Sequence, residues 1–266
     1  MTMADLAVDD SRNVFRESIL AGRVALVTGG ATGIGRQIAF TLGRHGAAIV
    51  ICSRKEEVLK GACAELETEG IDALYVVADV RDPRAVERVI EQALAKHGRL
   101  DIVINNAAGN FPAKLDDISY NGFKTIVDID LLGTYNVSKA AYHAWLGEHG
   151  GVVVNISAPF EHWGVPFQAH VAAAKTGVNS LTRTCAAEWA EKGIRVNAVA
   201  PGFVAETEGV RRFEEVRKSG DHGLKGTKQD IANAVLFLVS DAAGFISGEC
   251  IRVDGSACVN MFRSND

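Results

Sequence analysis

Seven short runs rich in Val, Ile and Ala recur along this chain with longer amphipathic stretches between them, and that alternation restricts the fold more than any other feature. The runs are VALVTG (24–29), AAIVIC (47–52), ALYVVA (73–78), DIVINN (101–106), GVVVNIS (151–157), IRVNAVAP (194–201) and GECIRVDG (248–255). Their hydrophobicity is nearly continuous, as strands covered on both faces require. Between them RQIAFTLGRHG, KEEVLKGACAELETEG, DPRAVERVIEQALAKHG and KQDIANAVLFLVSDAA carry apolar residues at helical spacing, and the first three close on Gly, a common helix terminator. The pattern predicts an α/β fold: a doubly wound, seven-stranded parallel sheet with helices on both faces and ligands at the carboxyl ends of the strands.

The 266 residues contain no Pro- or Ser-rich linker and no internal repeat. A single domain over residues 22–266 is expected, preceded by a polar tail over 1–21. Lys and Arg total 28 against 33 Asp and Glu, a formal charge of −5 with no basic stretch, so nucleic acid is not an expected partner. Polar residues interrupt every apolar run before it reaches bilayer length, so no membrane insertion is expected. Cys52, Cys63, Cys185, Cys250 and Cys258 are odd in number and form no CxxC pair, which predicts neither disulfides nor a metal site. The acidic start is unlike a signal peptide, and the terminal Ser264-Asn265-Asp266 is not a peroxisomal address. A cytoplasmic location is the resulting expectation.

Thr28-Gly29-Gly30-Ala31-Thr32-Gly33-Ile34-Gly35 follows the first run directly and opens the first helical stretch. Glycines at such a turn let the backbone approach a pyrophosphate, whose charge is met by the N–H groups of the helix start. The end of the second run specifies the nucleotide. An acidic residue there would accept from a free ribose hydroxyl, but the chain has Ser53-Arg54-Lys55. A hydroxyl and two cations suit a 2′-phosphate, so NADPH is expected over NADH.

Further motifs stand in register: Asp79-Val80 after the third run, Asn105-Asn106-Ala107-Ala108-Gly109 after the fourth, Asn155-Ile156-Ser157 ending the fifth and Pro201-Gly202 ending the sixth. In this order, with the TGxxxGxG turn, the sequence resembles the short-chain dehydrogenase/reductase family from about residue 20 to the C-terminus. The resemblance implies a Rossmann-type fold and a nicotinamide cofactor. It places adenine near Asp79 and Val80, nicotinamide below Pro201 and Gly202, and Asn106, Ala107, Ala108, Ile156 and Val204 in the cofactor lining. It further implies a mobile substrate loop at about 203–226 and a homotetramer.

The catalytic positions depart from that family, whose carbonyl chemistry uses a Tyr four residues before a Lys, a Ser thirteen before the Tyr, and an Asn one strand earlier. The matching Lys is Lys175, which puts Val171 at the tyrosine position, Ala158 at the serine position and Asp130 at the asparagine position. Tyr75, Tyr120, Tyr135 and Tyr142 all lie upstream and cannot substitute. Ketone reduction needs an acid for the oxyanion, and neither Val171 nor Ala158 is one. Either catalysis has been lost or the reaction forms no alcohol. Asp130 beside Lys175 favours the second reading, because a charge near a buried cofactor is costly unless paired.

A narrower resemblance points the same way. Asn105 to Phe111, Phe123 to Asp130, His149 to Asn155, His170 five before Lys175, and Glu206 to Arg212 are similar to the peroxisomal type of 2,4-dienoyl-CoA reductase, which relies on an Asp and a Lys. The mitochondrial type's Asn and Tyr would fall at Leu132 and Phe160 and are not matched. Implied are an acyl-CoA thioester substrate and a catalytic pair, Asp130 and Lys175. Phe111, Ala158, Phe160 and His170 are candidate substrate contacts, although His170 serves equally as a polar helix-start residue. Arg211 and Arg212 could receive coenzyme A phosphates or simply line an exposed helix. Trans-2-enoyl-CoA reductase is the rival within enzymes, echoed by Trp145, Glu148-His149-Gly150-Gly151 and Ala158-Pro159, but it keeps Asn at position 130. Another CoA-linked dehydrogenase is also open, and a catalytically silent cofactor-binding partner is the alternative from a different class.

Overall fold

A computed structural model describes residues 15–161, 164–216 and 225–257. Residues 1–14 of the expected tail, Cys258, and residues 217–224 of the expected substrate loop lie outside the described residues. The seven strands are β1 (Val24–Thr28), β2 (Ala48–Ser53), β3 (Ala73–Val77), β4 (Ile102–Asn105), β5 (Gly151–Ile156), β6 (Ile194–Pro201) and β7 (Cys250–Val253). They form one parallel sheet in the order β3-β2-β1-β4-β5-β6-β7. The order reverses between β1 and β4, and the crevice beyond their carboxyl ends is where doubly wound folds bind nucleotides.

Successive strand residues serve opposite cores. Ala25, Val27, Ile49 and Ile51 face the layer built from α1 (Gly33–Arg44), α2 (Glu56–Thr68) and α9 (Lys228–Val239). Val24, Leu26, Val50 and Cys52 face the layer containing α3 (Pro83–His97), α5 (Gly133–Ala141) and α7 (Ala169–Trp189). Both strand faces are therefore dry, the physical origin of the unbroken apolar runs. Burial pushes the Cys52 thiol up to about 12 and leaves it an inert packing group. Within the stretch read as tail, Leu20 is buried and donates its N–H to the His45 carbonyl at 2.9 Å.

Local chemistry sets the helix ends. Asp82 caps α3 by accepting from Arg84 N–H at 3.0 Å, Pro83 occupies the first turn, and Gly98 closes it at φ 71°. Thr227 and Asp230 cap α9 reciprocally. The rod from α4 (Tyr120–Val127) through α5 to α6 (Gly147–His149) is interrupted by two π turns, Asp128–Leu132 and Tyr142–Leu146. The first of them carries Asp130.

Candidate active site

Two turns are stitched together at the sheet's reversal point. Thr28 Oγ1 accepts the N–H groups of Asn106 at 3.0 Å and Ala107 at 2.9 Å, and Asn106 Nδ2 donates to the Thr28 carbonyl at 2.9 Å. Gly29 and Gly33 adopt φ 65° and 57°, which side chains resist. A Cβ on Gly30 would lie 2.6 Å from Ile51 Cγ2, and one on Gly35 would lie 2.5 Å from the Gly29 carbonyl and collide with Asn106 Nδ2. At Gly33 a Cβ would meet nothing within 4 Å, so the turn is open on its outer side. The Thr32 side chain does not cap α1, and no acidic residue stands in the helix's first turn. The α1 N-terminus thus keeps its positive end for an external anion, and the donor set fits a dinucleotide pyrophosphate.

At the outer end of this crevice Ser53 closes β2 half-buried, followed by exposed Arg54 and Lys55. Neither cation has an ion-pair partner among the described residues. Asp79 is clasped by Arg81 through Nε at 3.0 Å and Nη2 at 2.6 Å, which holds its carboxyl below the usual carboxylate range with help from the nearby Arg54 charge. Buried Val80 packs where Gly133 approaches, and its carbonyl accepts from Asn136 Nδ2 at 2.9 Å. At the inner end Gly202 donates to the Val253 carbonyl at 3.0 Å, and Val204 is buried in a bridge to Gly226. Ile156, at the end of β5, offers its carbonyl to Lys175. Ala108, by contrast, is exposed beyond the β4 turn.

Asp130 and Lys175 meet at this inner end. Lys175 Nζ donates to the Ile156 carbonyl at 2.8 Å and lies 3.3 Å from Asp130 Oδ2, with both side chains almost wholly buried. The other carboxylate oxygen, Oδ1, accepts the Gly109 N–H at 2.7 Å. Gly109 allows this approach because any Cβ there would lie 2.8 Å from Ile126 Cδ1. The π turn turns Asp130 inward, while Asp128, two residues earlier, is claimed by Lys124.

The missing tyrosine and serine are replaced by an apolar wall. Val171 is buried with Ile126 and Ala174, and Phe111, Phe160, Val127 and Leu131 pack against them. Ala158 is half-buried, its carbonyl accepting the Phe160 N–H at 2.9 Å. His170 is the second residue of α7, fully buried, with its ring 4.3 Å from that of Phe111. Its helix-start position is therefore no solvent-facing one. Arg211 and Arg212 both pair with Glu208, whose carboxyl they hold down to about 2, and Arg212 also donates to the Asn110 carbonyl at 2.7 Å. Those contacts draw α8 (Glu208–Val216) over the site.

A protein-family profile described as enoyl-(acyl carrier protein) reductase matches residues 29–256. The chain belongs to the short-chain dehydrogenase/reductase family. Among members of this family, the peroxisomal 2,4-dienoyl-CoA reductase [(3E)-enoyl-CoA-producing] of Danio rerio is 40% identical over 265 residues, covering 95% of this chain and 88% of that protein. The probable 2,4-dienoyl-CoA reductase [(2E)-enoyl-CoA-producing] of Bacillus subtilis is 38% identical over 251 residues, 90% of this chain and 98% of that one. A solved structure, the citronellol catabolism dehydrogenase of Pseudomonas aeruginosa, superposes with a TM-score of 0.82 at 36% identity, over 92% of this chain and 98% of its own.

These relatives correct the expected cytoplasmic location, since those of Danio rerio, Rattus norvegicus and Arabidopsis thaliana are named as peroxisomal enzymes. The expectation rested on scattered cysteines and terminal residues. Unpaired cysteines carry no signal that tells one compartment from another.

Some residues of this short-chain reductase site escape a linear reading. Asn105 Nδ2 donates to Ser138 Oγ and to Asn155 Oδ1, both at 2.8 Å, and Asn155 Nδ2 donates to Thr182 Oγ1 at 2.8 Å, fastening β4 and β5 to α5 and α7. Ser157 Oγ donates to Asn179 Oδ1 at 2.5 Å beneath Lys175. Gln168, buried beside His170 in sequence, gave no signal by type or spacing.

Proposed function

We propose that the protein reduces a 2,4-dienoyl-CoA to a 3-enoyl-CoA at the expense of NADPH. The observation that carries this reading is the buried Asp130–Lys175 pair standing beside an apolar wall where an alcohol-forming enzyme would hold its hydroxyl acid. The relatives named as dienoyl-CoA reductases support the same substrate class.

The open turn at Gly33 and the uncapped α1 would receive the pyrophosphate. Ser53, Arg54 and Lys55 would receive the 2′-phosphate that separates NADPH from NADH, Asp79 and Val80 the adenine, and Asn106, Ala107, Ala108, Ile156, Pro201, Gly202 and Val204 the nicotinamide half. When bound, the cofactor supplies hydride. Lys175, already fixed by the Ile156 carbonyl, keeps donors for the nicotinamide ribose, and its charge favours the dienolate that forms on the substrate. Asp130 holds Lys175 in place and orients the water that delivers a proton to the α-carbon. Hydride and proton both end on carbon, so no side chain need protonate an oxygen. Phe111, Val171 and Phe160 exclude bulk water from the acyl chain, with Ala158 completing that wall. The spending of Arg211 and Arg212 on Glu208 makes them organisers of α8 rather than unengaged phosphate ligands. The active form we infer is a homotetramer.

The test is to mix the protein with NADPH and, separately, 2,4-dienoyl-CoA, 2-enoyl-CoA and 3-ketoacyl-CoA, following NADPH absorbance and the product double bond. Oxidation with the dienoyl substrate and formation of the 3-enoyl product are expected. Turnover of the ketoacyl substrate alone, or NADPH binding without any turnover, would overturn the reading.

A further inference from the structure

Buried polar atoms without a hydrogen-bond partner concentrate on one side of the site. Among the described residues they include Asp130 Oδ2, both ring nitrogens of His170, Gln168 Oε1 and Asn110 Oδ1. Leaving such groups unpaired in a dry interior is costly, and native proteins do so mainly where a ligand or an ordered water takes part.

The chain brings these atoms together by two loops. Ala113 N–H donates to the Phe167 carbonyl at 3.1 Å, which fastens the segment after β4 to the segment before α7. Phe167 adopts φ 69°, a left-handed conformation unfavourable for an aromatic residue, and the chain then enters the buried Gln168 and His170. Local strain of this sort persists where the surroundings require it and is frequent at functional sites. The His170 ring is fixed by Phe111 at 4.3 Å and lies near enough to Asp130 to feel its charge. Burial pushes the imidazole toward its neutral form, opposed by the Phe111 backbone and the Asp130 carboxylate. A neutral imidazole has one N–H donor and one acceptor.

We propose that His170 is a positioning residue for the proton-delivering water: its N–H donates to that water, which in turn donates to Asp130 Oδ2 and keeps its second hydrogen for the substrate α-carbon. With the oxygen held from two sides, that hydrogen has a single direction. In the protonation step the water O–H bond breaks, a C–H bond forms at the α-carbon, the dienolate electrons supply that bond, and the hydroxide regains a proton from solvent when product leaves. This inference rests on the dienoyl-CoA reading for its substrate and on the unpartnered, buried atoms of His170 and Asp130 for the shared water.

Two measurements test it. With 2,4-dienoyl-CoA, His170→Phe should lower kcat by about tenfold or more while KM and NADPH affinity stay within about threefold, and should release the 2-enoyl product alongside the 3-enoyl one. His170→Gln, which keeps a donor, should restore most of kcat and the single product. Equal losses in both variants, or a His170→Phe enzyme with wild-type kcat and product, would overturn the inference. Independently of turnover, 15N-histidine NMR of the full chain should show the His170 ring neutral at pH 7 and shifted by Asp130→Asn more than the remaining histidines. An unmoved His170 resonance would overturn the shared water even where dienoyl-CoA is reduced. A shifted resonance in a protein that leaves dienoyl-CoA untouched would support the His170–Asp130 coupling while the substrate reading fails.

Discussion

Lys175 Nζ stands 3.3 Å from Asp130 Oδ2 with both side chains almost wholly buried, and its one short hydrogen bond, 2.8 Å, goes to the Ile156 carbonyl instead. The carboxylate is a charge partner for the ammonium: Oδ1 is taken by the Gly109 N–H, whereas Oδ2, the oxygen nearer Lys175, accepts no hydrogen bond. That division of labour suits a site which must hold a cation steady and still leave an oxygen for a water molecule.

Asp130→Ala should cost both turnover and stability. Removing one member of a buried pair strands the other charge, a loss of about 3–5 kcal/mol. Asp130→Asn keeps an acceptor for the Gly109 N–H and should fold better, yet lower kcat by about a hundredfold. Thermal denaturation and NADPH absorbance, run side by side, separate the two effects.

Nucleotide preference should follow Arg54. Replacing it with Asp removes the forked donor and adds repulsion toward a 2′-phosphate, so KM for NADPH should rise at least about tenfold while that for NADH falls. Steady-state kinetics with each nucleotide would show it. A variant that keeps its preference would place the phosphate elsewhere.

Gly35→Ala should fail for steric reasons. The new Cβ would press within 2.5 Å of the Gly29 carbonyl and against Asn106, at a cost of about 1–3 kcal/mol. NADPH titration by fluorescence should show weakened binding, whereas Gly61→Ala, on an open helix face, should bind normally.

Acid should destabilise the fold partly through His170. Its pKa is lowered on folding by burial, so below the ordinary histidine value the unfolded chain binds the proton more readily than the folded one. The stability tied to the neutral ring is therefore present above about pH 6.5 and declines as the pH falls through that value toward the folded pKa. Melting temperatures from pH 8 to 5 should fall less steeply for His170→Gln than for wild type. His97, also lowered by burial, contributes in the same direction and is unchanged in both.

The sheet was legible because both strand faces are buried, and every apolar run became a strand with ends shifted by only a few residues. The glycine turn was legible because its backbone demands are specific to residue type. The rod over 120–149 was not, since π turns break its period: Ile126 and Val137 have the spacing of one regular helical face, yet with the first π turn between them they pack into different cores. Nothing in Asp128-Ile129-Asp130 distinguishes the half-buried partner of Lys124 from the fully buried partner of Lys175. Comparison with the family's asparagine position located Asp130, and the fold then supplied the reason. Gln168, Asn110 and the inward turn at Phe167 depend on two loops meeting, which no local pattern encodes.

The central claim is that hydride and proton both end on carbon, with the proton drawn from water beside Asp130. Isotope tracing tests it directly: 2,4-dienoyl-CoA is reduced once with NADPH deuterated at C4 in ordinary water, and once with unlabelled NADPH in deuterated water. The account predicts cofactor deuterium at the far end of the diene and solvent deuterium at the α-carbon of a 3-enoyl product. Cofactor deuterium on an alcohol carbon, or an α-carbon without solvent label, would contradict it.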